Sequence, residues 1–137
     1  MKLAVVTIVL GEKYFRISQI SHKSIKNYAD KIGAEFIVLD NPQGLPHWQK
    51  MEIYRLLNTY DRIIYFDTDL IIRDDCPNLF EIVPDDKLGA FNEGKFDPRG
   101  ESLKEAIFAY KEDVKDWDGT YYNTGVMVIS RKQKECS

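Results

Sequence analysis

Residues 60–69 read YDRIIYFDTD, and this stretch decides the fold. The run from Arg62 to Phe66 is rich in β-branched and aromatic residues, which predicts a buried strand. That strand continues directly into Asp67-Thr68-Asp69. In open α/β sheets, ligands bind outside the carboxyl ends of the strands. The stretch therefore predicts a strand that places two acids at a ligand site.

The chain on either side of this stretch alternates between strand-like and helix-like hydrophobic periods. The predicted strands are Leu3–Val9, Glu35–Leu39, Arg62–Phe66, Leu70–Ile72, Leu88–Phe91 and Gly125–Ile129. The predicted helices are Glu12–Ile32, His47–Thr59 and Ser102–Trp117, with a loop over Asn41–Pro46 and a helical turn over Pro77–Val83. Such alternation is typical of an α/β domain with a mostly parallel central sheet. No linker or repeat interrupts it, so we predict one domain over residues 1–137.

The overall composition narrows the class of protein. The 137 residues are 44% hydrophobic and 30% charged, which is typical of a globular domain. The formal net charge of -3 offers no basic excess, so we do not expect a nucleic-acid partner. The most apolar segment, Leu3 to Leu10, is shorter than the ~20 residues of a transmembrane helix. Cys76 and Cys136 form no metal or redox motif. We therefore expect a cytoplasmic protein without a transmembrane segment.

Two acids one residue apart can bind one hard cation. Carboxylate oxygens are preferred ligands of Mg²⁺ and Mn²⁺, and such a cation keeps positions for water and phosphate. Held by Asp67 and Asp69, it would neutralise negative charge on a bound phosphate group. An Asp-x-Asp motif alone is a weak signal, because acidic pairs such as Asp74-Asp75 also occupy solvated loops. Here the apolar segments on both sides favour metal binding, since unpaired buried carboxylates are costly.

Three segments are informative as a set: HWQK at residues 47–50, YDRIIYFDTD at residues 60–69 and YNTGVM at residues 122–127. Together they resemble the GT-A glycosyltransferases, notably the glycogenin- and galactosyltransferase-like (family 8-like) retaining enzymes. Each segment alone is weak, whereas the combination is specific and its likeness spans nearly the whole chain. The resemblance implies a Rossmann-like GT-A domain, a nucleotide-sugar donor that is usually UDP-linked, and a Mn²⁺ (or Mg²⁺) cofactor.

The resemblance also implies roles for individual residues. Thr7 and Tyr14 match positions that surround the uracil, and a phenol ring can stack on a base. Lys50 would direct positive charge towards the diphosphate or the sugar, and the Asp67-Thr68-Asp69 triplet would hold the cation and the diphosphate. Asn123 lies in the family's Asn-x-Gly segment, near the transferred sugar. The predicted catalytic residues are therefore Asp67, Asp69 and Asn123.

The chain departs from larger members of this family in two respects. It has no histidine after His47, whereas those members have a later histidine that completes the metal site. It also ends soon after the last predicted strand, so we expect a nucleotide-sugar-binding domain that lacks the usual C-terminal acceptor region. The acceptor could be a glycan, a protein or water, and transfer to water would be hydrolysis of the donor.

Two other functions remain open at this stage. A non-catalytic nucleotide-sugar or glycan-binding module would share the donor pocket without turnover. A haloacid-dehalogenase-type phosphohydrolase also places Asp-x-Asp after an apolar strand, but normally near the start of the domain, whereas two predicted strands precede it here. Glu93 and Asp97 are residual candidates for a sugar contact or a base. We assign no role to His22 or His47.

Overall fold

The computed structural model describes residues 1–40, 46–94 and 120–135. The strands are β1 (Leu3–Ile8), β2 (Glu35–Leu39), β3 (Arg62–Phe66), β4 (Gly89–Asn92) and β5 (Tyr122–Ser130). The helices are α1 (Gly11–Ile32), α2 (Pro46–Leu56), α3 (Leu79–Ile82) and α4 (Arg131–Glu135). The predicted helix Ser102–Trp117, most of the predicted loop Asn41–Pro46, and Asp97 lie outside the described residues.

The described strands form one sheet in the order β2-β1-β3-β5-β4. Strand β1 pairs in parallel with both β2 and β3, which confirms the predicted parallel core. Strand β5 runs antiparallel to β3, with Phe66 opposite Val126 and Arg62 opposite Ser130. Strand β3 is therefore paired on both sides, and all five of its residues are buried.

The two faces of β1 and β3 pack against different helices. Val5 and Ile64 contribute to a core that includes Ile25, Tyr28 and Ala29 of α1. Their neighbours in sequence point the opposite way, into a second core. That second core comprises Ala4, Val6, Ile53, Leu57, Tyr60, Ile63 and Tyr65. Alternate residues thus bury into opposite layers, as expected of a strand covered on both faces.

Helix α1 begins and ends close to the predicted positions. Its last turn is followed by Gly33, which has a φ of 71° in the left-handed region. The backbone N–H of Gly33 donates to the carbonyl of Asp30, and that of Ala34 donates to Ala29. Glycine tolerates this conformation because it has no Cβ. The glycine therefore directs the chain from α1 straight into β2.

One predicted strand is wrong, and both ends of helix α2 differ from the prediction. Residues Leu70–Ile72 do not form a strand, because the N–H of Ile72 donates to Ser24 Oγ on α1 rather than to a neighbouring strand. Helix α2 ends at Leu56 rather than Thr59, since the N–H groups of Asn58 and Thr59 donate to carbonyls three residues back, which is a turn geometry. It also starts one residue earlier than predicted, at Pro46, and proline is favoured in the first turn of a helix.

The chain separates into two compact units, residues 1–89 with 125–137, and residues 90–124. The first unit contains strands β1, β2 and β3, residues 125–130 of β5, and helices α1, α2, α3 and α4. The prediction of a single domain stays a prediction. Within the described ranges, no helix combines the length and the apolar character needed to cross a bilayer.

Burial predicts the effect of shortening two isoleucines. Ile64 is 0% exposed in the centre of β3, whereas Ile71 is 68% exposed. We expect Ile64→Ala to lower the free energy of unfolding by about 2–5 kcal/mol, because it removes buried methylenes and leaves a cavity. The same substitution at Ile71 should change it by less than about 0.5 kcal/mol. Urea unfolding followed by circular dichroism measures both, and equal losses would contradict the described packing.

Candidate functional site

A cavity of about 200 Å³ lies at the carboxyl end of β1 and β3. The residues that line it are Ile8, Leu10, Tyr14, Lys50, Tyr65, Asp67, Thr68 and Asp69. Strand β3 contributes Tyr65 and leads into the acidic triplet, helix α1 contributes Tyr14, and helix α2 contributes Lys50. Parallel strands end at the same edge of a sheet, which is why residues distant in sequence converge there. Five of the predicted site residues therefore share one cavity.

Asp67 is fixed by contacts from two strands. Its backbone N–H donates to the carbonyl of Gly125 on β5 at 2.7 Å. The Tyr65 hydroxyl donates to Asp67 Oδ1 at 2.6 Å. Burial of the phenol, together with its hydrogen bond to Asp67, raises the pKa of Tyr65. Tyr65 therefore stays protonated at neutral pH and remains a hydrogen-bond donor to the first acid of the triplet.

Lys50 places a positive charge beside the same carboxylate. Its Nζ lies 3.5 Å from Asp67 Oδ1 and 4.9 Å from the centre of the Tyr65 ring. Both side chains of the ion pair are partly exposed, so solvent screens the attraction. The ring and the carboxylate together keep the ammonium group over the cavity.

Asp69 differs from Asp67 in its surroundings. Its side chain is exposed and has no hydrogen bond or ion pair with any described residue. The carboxylate therefore retains its capacity to bind an external cation, whereas one oxygen of Asp67 is already bonded.

Thr68, between the two acids, is buried and points into the protein. Its Oγ1 lies 3.0 Å from Nε2 of His22 on α1, a hydrogen bond whose direction depends on the imidazole tautomer. The His22 ring packs edge-on against Phe36 of β2, with centroids 5.5 Å apart. Burial lowers the pKa of His22. The sequence prediction assigned His22 no role, and no spacing rule could have joined it to a residue 46 positions away.

The two residues predicted near the base are placed differently. Tyr14 is 39% exposed and lines the cavity. Thr7 is 0% exposed and is not among the lining residues. The Thr7 side chain is therefore covered by protein in this conformation. Its predicted contact with a base stays a prediction.

Asn123 belongs to the second unit, residues 90–124. Its Nδ2 donates to Glu93 Oε1 at 2.6 Å, and the Glu93 backbone N–H donates to the carbonyl of Tyr121 at 2.8 Å. The side chain of Asn123 is thus held by a carboxylate that sequence analysis named only as a residual candidate. The predicted positions of both residues near a sugar stay predictions.

The chemistry of the triplet suits a hard divalent cation. Its carboxylates are separated by one residue and both line the cavity. The described ranges contain no group of three or more histidine, cysteine or acidic side chains that could hold a metal. A cation held by two carboxylates would keep positions for water and for phosphate oxygens, as Mg²⁺ commonly does. Oxygen ligands of this kind fit Mg²⁺ or Mn²⁺ better than a softer metal.

Comparison with known proteins decides the family. The sequence profile described as "Glycosyl transferase family 8" matches residues 9–135. The chain belongs to glycosyl transferase family 8. This confirms the predicted resemblance, and it argues against the haloacid-dehalogenase alternative.

A solved structure supports the fold of this family 8 chain. The match is described as "Crystal structure of a glycosyltransferase involved in the glycosylation of the major capsid of PBCV-1". The TM-score is 0.60 at 12% sequence identity, over 99% of this chain and 63% of that chain. The family 8 chain thus spans less than two thirds of the length of that glycosyltransferase, and the likeness confirms the predicted fold class. A search of curated proteins gave no match.

The raised pKa of Tyr65 predicts how stability depends on alkaline pH. The free phenol of an unfolded chain ionises near about pH 10, while folded Tyr65 keeps its proton. Its contribution to stability is therefore full below about pH 10 and falls as the pH rises further, because only the unfolded state releases the proton. Tyr65→Phe removes this proton and keeps the ring. We expect its free energy of unfolding to fall less steeply above pH 10, by up to about 1.4 kcal/mol per pH unit.

Urea unfolding of the wild-type protein and of Tyr65→Phe at a series of pH values measures the two slopes. Parallel curves above pH 10 would show that the Tyr65 phenol ionises equally in both states, which would contradict its burial and its hydrogen bond to Asp67.

Proposed function

We propose that this chain is a metal-dependent glycosyltransferase that binds a nucleotide-diphospho-sugar, with a UDP-sugar as the favoured donor. Asp67 and Asp69 would hold Mn²⁺ or Mg²⁺, and the cavity above them would receive the diphosphate. The observation that carries the proposal is the convergence of both acids and Lys50 on one cavity in a family 8 chain. In this proposal these residues bind the donor rather than the acceptor.

The residues around the cavity would have different roles in donor binding. When bound, a divalent cation supplies Lewis-acid stabilisation of the negative charge on the leaving nucleoside diphosphate. Tyr65 and the Gly125 carbonyl hold Asp67 in one orientation, so that its second oxygen is available for coordination. Asp69 is exposed and contributes the second carboxylate. Preorganised ligands of this kind avoid the cost of ordering them during binding.

Lys50 would move from Asp67 to the diphosphate when the donor binds. In the structure its ammonium group is 3.5 Å from Asp67. A diphosphate in the cavity carries more negative charge than one carboxylate, so the flexible lysine side chain would turn towards it. Neutralisation of the diphosphate would then come from the protein as well as from the cation.

The cavity volume indicates which part of the donor it accommodates. At about 200 Å³ it is smaller than the ~300–1,000 Å³ of most small-molecule sites. We assign it to the diphosphate, and we propose that the base stacks on Tyr14 with Thr7 behind it. The sugar would extend beyond the cavity, and the contact of Asn123 with the sugar stays a prediction from the family resemblance.

Hydrolysis of the donor is the second candidate activity. The side chain of Asp67 is 41% exposed and Asp69 is exposed, so water reaches the same edge of the sheet as the donor. Water would then compete with a glycan or a protein as the acceptor. A module that binds the donor without turnover would use the same residues.

Titration calorimetry with UDP tests the proposal, with and without Mn²⁺, on the wild-type protein and on Asp69→Asn. We expect binding to require Mn²⁺ and to weaken by at least about tenfold in Asp69→Asn, because a neutral amide is a poor ligand for a hard cation. Asp74→Asn is the matched control, since Asp74 is an exposed acid on a turn away from the cavity. It should bind as the wild-type protein does.

The same samples report on turnover when UDP-sugars replace UDP. Release of UDP without an added acceptor would identify hydrolysis, and release only with an acceptor would identify transfer. Binding without release under either condition would favour the binding module. Binding of UDP that depends on neither Mn²⁺ nor Asp69 would refute the proposed site.

A further inference from the structure

Helix α1 holds the segment that carries Asp69 at two points. His22 contacts Thr68 immediately before Asp69, with 3.0 Å between Nε2 and Oγ1. Two residues further along the helix, Ser24 Oγ accepts a hydrogen bond from the N–H of Ile72 at 3.1 Å. The segment between these contacts forms no strand ladder. Its backbone is therefore tied to α1 rather than to a neighbouring strand.

The two acids of the triplet are positioned by different elements. Asp67 is bonded through Tyr65 and Gly125, which belong to the sheet. Asp69 has no hydrogen bond to any described residue, so its direction follows from the backbone that precedes it. That backbone is fixed where the buried Thr68 side chain meets His22.

The His22 ring is itself held in place. It belongs to a long helix whose neighbouring residue Ser21 is buried, and its ring packs edge-on against Phe36. A group that orients another side chain must itself be held in place, because a freely rotating side chain would not restrict Thr68.

We infer that His22 is a positioning residue, which orients Asp69 for cation binding through its hydrogen bond with Thr68. The inference rests on the proposed function, since it assigns His22 a part in the same metal and diphosphate site. His22 itself contacts neither the cation nor the donor. Its effect is on the angle at which the second carboxylate enters the cavity.

Helix α1 also carries Tyr14, which lines the cavity. Tyr14 and His22 are about 12 Å apart along the helix axis at the usual rise per residue. One rigid element thus bears both the proposed contact with the base and the group that orients the metal-binding turn. Donor binding and cation binding would therefore favour the same placement of α1.

The test uses substitutions at both ends of the hydrogen bond. His22→Phe keeps a ring and removes the nitrogen, and Thr68→Val keeps the shape and removes the hydroxyl. We expect each to weaken Mn²⁺-dependent UDP binding by about tenfold, the usual effect of losing a group that orients a metal ligand. The double variant should bind UDP no more than about twofold less tightly than the single variant with the lower affinity, because both substitutions remove the same hydrogen bond.

A variant that restores the hydrogen bond distinguishes a positioning role of His22 from a role in packing. His22→Gln retains a polar group near the position of Nε2, and we expect it to bind Mn²⁺ and UDP within about threefold of the wild-type protein. Thermal unfolding without ligand, recorded for every variant, shows that the binding data come from folded protein. Loss of stability alone would move the melting temperature without the pattern of rescue and non-additivity.

The outcomes distinguish this inference from the proposed function. If the wild-type protein binds UDP equally well with and without Mn²⁺, both the proposed function and the role of His22 are wrong. Wild-type binding that is lost in Asp69→Asn but unchanged in both His22→Phe and Thr68→Val would overturn the inference alone. Additive losses in the double variant would also overturn it.

Discussion

The pairing of β3 on both sides is the constraint on which the rest of the structure depends. All five residues of this strand are buried, so its backbone groups must bond to β1 and β5 rather than to water. Polar chemistry is therefore confined to its two ends. At one end Arg62 donates to Ser130 Oγ and to the carbonyls of Phe80 and Val83. At the other end the chain leaves the core as Asp67-Thr68-Asp69.

This arrangement explains why the acidic triplet is both rigid and accessible. The Gly125 carbonyl of the antiparallel partner β5 accepts a hydrogen bond from the N–H of Asp67. The next residue turns inward to α1, and the one after it turns to solvent. Alternation of side-chain direction, continued past the end of the strand, thus gives two outward acids on either side of a buried threonine. The proposed cation site would take its geometry from the core packing beneath it.

The sequence predicts the features of the fold that depend on local periodicity. The apolar run of β3, the helix ending at Gly33 and the acids after Phe66 are properties of neighbouring residues, and the structure confirms them. The run Leu70–Ile72 was misread because an apolar segment can pack on a helix as well as pair in a sheet. Strand direction is not encoded in periodicity, so the antiparallel pairing of β5 could not be anticipated. His22 was missed for a related reason, since only the folded chain brings it to Thr68.

A crystal structure of the protein with Mn²⁺ and UDP, in which anomalous scattering locates the manganese, would test the proposed donor site. We expect one anomalous peak in the cavity, about 2.0–2.2 Å from a carboxylate oxygen of both Asp67 and Asp69, and bonded to the diphosphate. Lys50 Nζ should then lie closer to a phosphate oxygen than to Asp67. A manganese ion away from both acids, or a diphosphate bound elsewhere on the chain, would show that Asp67 and Asp69 do not form the donor site.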